Sequence, residues 1–283
     1  MESLDGRSMK RILFLFLFVL TAILPLNAQN ESRPKVALVL GGGGAKGAAS
    51  VGVLKYIEKS GVPIDMVVGT SIGSIVGGLY CLGYNSGQLD SMFRSQEWGE
   101  LFAGSLMGDS IVHSLRQMTG ECSMGSFDDL PIPFRCVAVD TKSLREVVLS
   151  RGDLAQAMRA SMAIPLVFKP VKMGDMLLVD GGVLNNLPVD VAKNMGADIV
   201  IAVDLTVNKH EDFNPSSLLS LLRPDLRKYR QNCEDVDIYI NPNLRGYGSQ
   251  DFMPEKIAKM ISLGEKAGKS HLKKLKKLKK RLR

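Results

Sequence analysis

The chain has 283 residues, 45% of them hydrophobic and 23% charged, enough for one sizeable core; this excludes a disordered chain, and no internal period marks a repeat protein. Its formal charge of +7 is local: residues 269 to 283 hold nine Lys or Arg and no acid, while residues 29 to 268 sum to −3. Attraction to anionic partners is therefore expected at the C-terminus and not over a catalytic surface.

The first segment reads as an export signal, with Lys10 and Arg11 followed by "ILFLFLFVLTAILPL" and a cut after Ala28. The run is 15 residues long, short of the roughly 20 that span a bilayer, so cleavage and a periplasmic or secreted destination are expected. Leu26, three residues before the cut, is larger than usual and keeps an anchor as the alternative. After a polar linker, "VALVLG" reads as a buried strand ending at "GGGGAKG", and Ala45 to about Ser60 as a helix with Val51, Leu54 and Ile57 on one face. "MVVG" is a second strand and "SIGSIVGGLYCLG" a helix; residues 84–130 read as a mainly helical insertion with a Gly-rich middle, "LFAGSLMGDS". The strands "FRCVAVDT" and "REVVLS", a helix from Asp153 to about Ala163, the strand "MLLVD", the helix "PVDVAKNMG" and the strand "DIVIAVDL" follow. Residues 209–232 read as a polar connection, ahead of a last strand, "DVDIYIN", and a C-terminal helix. This alternation predicts an α/β fold with a mostly parallel sheet, whose active groups sit beyond the C-terminal strand ends.

The second strand ends in "GTSIGS", a G-x-S-x-G pattern at Gly69, Ser71 and Gly73. A serine at a sharp strand-to-helix turn needs small neighbours for its hydroxyl to project; the bland alternative is a helix N-cap serine. If the first two strands are neighbours, Gly42, Gly43 and Gly44 come up beside Ser71 with N–H groups able to meet an oxyanion. Gly42, Gly44 and Gly47 also satisfy G-x-G-x-x-G, but the acidic ribose partner expected after the second strand is missing. A Walker A loop fails because Gly47, not Ser or Thr, follows Lys46. The base is left open: His113, His210 and His271 are the histidines, His210 fits the chain order of a Ser-Asp-His triad, and Asp140, Asp180 and Asp204 each end a strand. Cys81, Cys122, Cys136 and Cys233 show no paired spacing, and no metal-ligand spacing occurs; Cys81 and Cys136, in apolar segments, are expected as buried thiols.

"GGGGAKG", "GTSIG" and "DGG", with "SMAIPLVFKPV" and "LLVDGGVLNNLPVDVAKNMGAD", closely resemble the patatin-like phospholipase family over about residues 34 to 206. That resemblance implies a three-layer α/β/α sandwich with a mostly parallel central sheet. It also implies a Ser-Asp dyad with Ser71 as nucleophile and Asp180 as base, Gly42 to Gly44 as the oxyanion loop, a lipid or phospholipid ester as substrate, and no cofactor. Lys46, Gly47, Gly69, Gly73, Gly181 and Gly182 are the supporting motif positions. The first half looks most like bacterial members that continue into a β-barrel; this chain is not expected to share the barrel's functions. The organisation expected is a signal over 1–28, a catalytic domain over 34–208, an extension completing the fold over 209–268 and a basic amphipathic tail over 269–283. A Ser-Asp-His esterase using His210 and a non-catalytic lipid-binding protein are the alternatives. In the tail, Leu272, Leu275, Leu278 and Leu282 line one helical face among the cations, which predicts binding to an anionic membrane surface; without interleaved aromatics, no nucleic-acid role is expected.

Overall fold

A computed structural model describes residues 33–95, 109–120, 123–207 and 226–282. The expected signal, most of the Gly-rich stretch 101–110, Cys122 and His210 lie outside the described residues. Strand β1 (Val36–Leu40) leads through a 3-10 turn (Gly44–Gly47) into α1 (Ala48–Ser60), and β2 (Met66–Thr70) into α2 (Ile72–Cys81). Helices α3 (Ser86–Arg94) and α4 (Asp109–Thr119) follow. Then come β3 (Ser123–Met124), β4 (Phe134–Asp140), β5 (Arg145–Leu149), β6 (Gly152–Asp153), α5 (Leu154–Ser161), β7 (Val171–Met173) and β8 (Met176–Asp180). The described chain closes with α6 (Val189–Asn194), β9 (Ile199–Val203), α7 (Leu226–Glu234), β10 (Ile238–Ile240) and α8 (Pro254–Arg281).

The main sheet runs β10-β9-β1-β2-β4-β8-β7, parallel from β10 through β4, with β8 antiparallel to β4 and β7 antiparallel to β8. Strands β1 and β2 are buried at every residue, as parallel strands covered on both faces must be, and for that reason they read as unbroken apolar runs. Alternate residues face opposite layers. Val36, Leu38 and Leu40 join one core cluster with α1, α2, α5 and α8, while Ala37 and Val39 pack with Val189, Val191 and Ala192 of α6 on the other face. The result is the expected α/β/α sandwich.

One detail of register creates the site. Strand β5 pairs with Cys136 to Asp140 along one edge of β4, so β2 and β8 share the other edge. Thr70 ends β2 opposite Val137, and Asp180 ends β8 opposite Ala138. The two strands run in opposite senses and meet tip to tip, which delivers the residue after Thr70 directly to Asp180.

The C-terminal segment differs from expectation. α8 is one helix across the predicted boundary at 268/269, and it lies along α1 at close range: a Cβ on Gly52 or Gly264 would overlap the facing backbone. Leu275, Leu278 and Leu282 are buried in the main core cluster and Leu272 is half-buried. A leucine stripe on a cationic helix has the same pattern whether it meets a bilayer or a protein core, and here it meets the core. These leucines are therefore not available to enter a membrane.

Candidate active site

Ser71 sits between β2 and α2 with φ 55° and ψ −127°, a strained backbone for a residue with a side chain. Local hydrogen bonds hold it there. Its amide donates to Ser161 Oγ at 3.0 Å, Ser161 Oγ donates to Val137 O at 2.6 Å, and its carbonyl accepts from Ser74 N at 2.8 Å and Ser74 Oγ at 2.6 Å. Its hydroxyl makes no N-cap bond to α2 and instead donates to Asp180 Oδ2 at 2.6 Å. The flanking glycines serve close packing: a Cβ on Gly73 would overlap Leu40 O, and one on Gly69 would overlap Gly73 O.

Asp180 is 6% exposed, and its carboxyl is pushed up to about 6, first by burial and against the lowering effect of its bonds from Ser71 and from Gly182 N, the latter 2.7 Å from Oδ1. A carboxylate whose pKa lies that near neutrality is a better proton acceptor than an ordinary aspartate. Gly181 is required beside it because a Cβ there would overlap Val137 O. The other two strand-end acids are elsewhere. The Asp140 carboxylate accepts from the amides of Leu177, Lys142 and Ser143, which lower its pKa to about 2 and hold the β4–β5 turn. The buried Asp204 accepts from the hydroxyls of Tyr229 and Tyr239 and from Thr206 N.

The glycine loop does lie against Ser71: a Cβ on Gly42 would come within 3.1 Å of Ser71 Cβ, and one on Gly47 would overlap Ile72, the residue after the serine. The oxyanion assignment needs one correction. The Gly42 amide already donates to Asn186 O at 3.1 Å, whereas the amides of Gly43 and Gly44 donate to no described residue. Lys46 is half-buried in the 3-10 turn, its amide bonded to Gly43 O at 3.2 Å.

Sequence reasoning missed the residues that brace these loops. Asn185 O accepts from Thr70 Oγ1 at 2.9 Å, and its side chain donates to Asp190 at 2.8 Å. Asn232 of α7 donates to Asn185 Oδ1 and Leu187 O, and Lys228 of the same helix pairs with Glu146 and Asp190. Most of α7 falls inside the stretch read as a polar connection: Asn232 and Lys228 brace it through polar contacts, and only Tyr229 and Cys233 pack on the second core cluster, too few to set an apolar period. The "LNNLP" segment carried a usable signal, two adjacent amides ahead of a proline between apolar residues.

His113, exposed on α4, contacts Gln117, and His271, on α8, contacts Ala267 O; neither bonds to Ser71 or Asp180. Cys81 and Cys136 are buried free thiols, both pushed up by burial. Among the described residues, no three His, Cys, Asp or Glu side chains are placed to hold a metal ion.

Residues 38–193 match the patatin-like phospholipase family model. The chain is 35% identical over 192 residues to an uncharacterized NTE family protein of Mycobacterium bovis, covering 64% of this chain and 51% of that protein. It is 36% identical over 200 residues to patatin-like phospholipase domain-containing protein 6 of Mus musculus, covering 63% of this chain and 14% of the mouse protein. The chain thus spans about half the mycobacterial relative and a small part of the mouse one. Among solved structures, VipD from Legionella pneumophila matches at TM-score 0.50 and 14% identity over 86% of this chain and 67% of that one. Human GIVD cytosolic phospholipase A2 matches at TM-score 0.50 and 10% identity over 92% and 61%. At such identities these two speak to the fold alone. The family match covers more than half of the chain and contains both the glycine loop and the Ser71–Asp180 pair, and on that basis the chain belongs to the patatin-like phospholipase family.

Proposed function

We propose that the protein is a serine acyl hydrolase of lipid esters, working through Ser71 and Asp180. Ser71 Oγ attacks the ester carbonyl carbon as Asp180 Oδ2 takes its proton. The carbonyl π pair moves onto oxygen, where the amides of Gly43 and Gly44 stabilise it. Collapse expels the alcohol, which leaves with the proton from Asp180. Water then attacks the acyl-serine, giving its proton to Asp180, and collapse releases the acid and restores the Ser71 hydroxyl.

The observation that carries this reading is the buried 2.6 Å hydrogen bond from a strained serine to a carboxyl group with its pKa near 6. Family membership supports a lipid ester as the substrate class. A fluorophosphonate probe followed by peptide mapping tests the nucleophile: one adduct at Ser71 is expected, absent from Ser71→Ala. Labelling that persists in Ser71→Ala, or none in the wild type, would count against the dyad and leave a lipid-binding role.

A further inference from the structure

Large apolar side chains are seldom exposed on the described surface, yet Leu144 and Leu166 are 76% and 73% exposed and line the same open groove of about 580 Å³. Val139, Val179, Val183 and Phe168 also line it. Two of its lining residues, Val179 and Val183, flank Asp180 in the chain, on β8 and in the 3-10 turn that follows. It lies at the β4–β8 end of the sheet, whereas α6 packs chiefly on β1, β2 and β9.

Both leucines have positive φ, 56° and 70°, where Gly or Asn would sit with less strain. Each is held from behind. The Asp140 carboxylate fixes the turn before Leu144, whose own amide donates to Asp140 O at 2.8 Å. The buried Arg159 ties down the 164–170 loop: Nη2 donates to Lys169 O at 3.2 Å, and the guanidinium lies 5.1 Å from the Phe168 ring centroid. Strained turns braced so as to hold leucines outward are a costly way to make a solvated surface, and such outliers point to function.

The rim is cationic. Lys169 lines the groove, Lys142 and Lys172 are exposed on the neighbouring turn and strand, and none of the three forms an ion pair among the described residues, although Lys142 Nζ donates to Asp175 O; Arg145 follows Leu144 directly. The acids nearby are Asp175 in the β7–β8 turn, Asp140, whose carboxylate is taken up by the turn amides, and Glu146, which is paired with Lys228.

We infer that this rim docks the protein onto an anionic lipid bilayer, with Leu144 and Leu166 among the acyl chains and the lysines against the head groups. The cationic side chains beside two outward leucines select an anionic lipid surface, and the choice of a lipid rests on the lipid-ester reading above. The membrane contact expected of the C-terminal helix moves to a different kind of element, two braced turns that line the groove.

The test uses the full chain carrying Ser71→Ala, so that vesicles are not consumed. Sedimentation with phosphatidylglycerol/phosphatidylcholine vesicles should show binding that weakens with salt and in phosphatidylcholine alone. Adding Leu144→Asn and Leu166→Asn, which suit the left-handed backbone, should weaken it by about tenfold or more. Replacing Lys276, Lys277 and Lys280 by Gln should leave it within about twofold, as lysines beside a buried leucine stripe have no anchor to assist. Should the double variant melt early, a Leu166→Trp variant on a Trp98→Phe background replaces it, and a blue shift of its emission on vesicles is expected. Absent vesicle binding, affinity indifferent to both leucines, unshifted emission from the Leu166→Trp variant, or loss through the helix lysines would each overturn the inference. So would a solution dimer that the two Asn substitutions split, which would assign the groove to a second copy. The two readings fail separately: leucine-dependent binding without any ester hydrolysis removes the hydrolase alone, and hydrolysis with leucine-independent binding removes the docking rim alone.

Discussion

Replacing Asp180 by Asn should sharply lower activity and stabilise the fold, and the two effects share one cause. Burial raises the Asp180 carboxyl from its ordinary 3.8 to about 6, so the folded state prefers the neutral acid and the unfolded state the anion. The sign follows by linkage. Stability associated with this group is fully present below the unfolded value and is lost as pH rises through the folded one. Ionising Asp180 thus costs the fold about 1 kcal/mol at pH 4.5 and about 3 kcal/mol at pH 7.5. Asn keeps an oxygen for the Gly182 amide and removes the charge. Asp180→Asn should therefore melt above wild type at pH 7.5 by about 6 °C or more for a body of this size, with the gap closing to about a third of that near pH 4.5. Hydrolysis of a soluble short-chain ester should fall by about 10² to 10⁴-fold, as for loss of a general base. Melting curves at the two pH values and initial rates on the two proteins suffice. A variant that melts below wild type by the same margin at both pH values would refute the reasoning, because Asp180 would then be an ordinary structural hydrogen-bond acceptor.

For the wild type, kcat/KM on a soluble ester should fall about tenfold per pH unit below about 6, since the base must be ionised; a flat profile down to pH 5 would point to a different base. His113→Ala and His271→Ala, and His210→Ala outside the described residues, should each keep activity within a few-fold in the same assay, and a dead His210→Ala would favour a triad. Leu275→Ala should lower the unfolding free energy by about 2–5 kcal/mol in urea titration, because that side chain fills core beneath α8. Gly73→Ala should cost about 3 kcal/mol or more, or fail to yield folded protein, since its methyl group meets Leu40 O.

The parallel strands and both motifs were legible because their signals are local: β1 and β2 are unbroken apolar runs, and Gly69, Ser71 and Gly73 mark the turn between β2 and α2. The choice among Asp140, Asp180 and Asp204 was not legible from the residues alone. It depends on β8 reversing direction along β4, a register relation between segments some forty residues apart that no local pattern encodes. The resemblance named Asp180, and the geometry supplies the reason that it is the acid within reach of Ser71. The engaged Gly42 amide was invisible for a related reason, because its partner, Asn186, stands far along the chain. The leucines of the last segment were correctly placed on one helical face, but an amphipathic pattern states that a face is buried without stating by what. Leu144 and Leu166 carried no signal of exposure: Leu144 is a single apolar residue in a turn, Leu166 sits within the apolar run "AIPLVF", and only the backbone angles and the groove they line set them apart.

Fatty-acid release tests the Ser71 nucleophile and the lipid-ester substrate together. Purified wild type and Ser71→Ala are incubated with phospholipids, lysophospholipids, acylglycerols and short-chain esters, and the products are identified by mass. Free carboxylic acid from at least one lipid ester with wild type, and none above background with Ser71→Ala, is the predicted result. Equal release by both proteins, or no release from any ester, would contradict it.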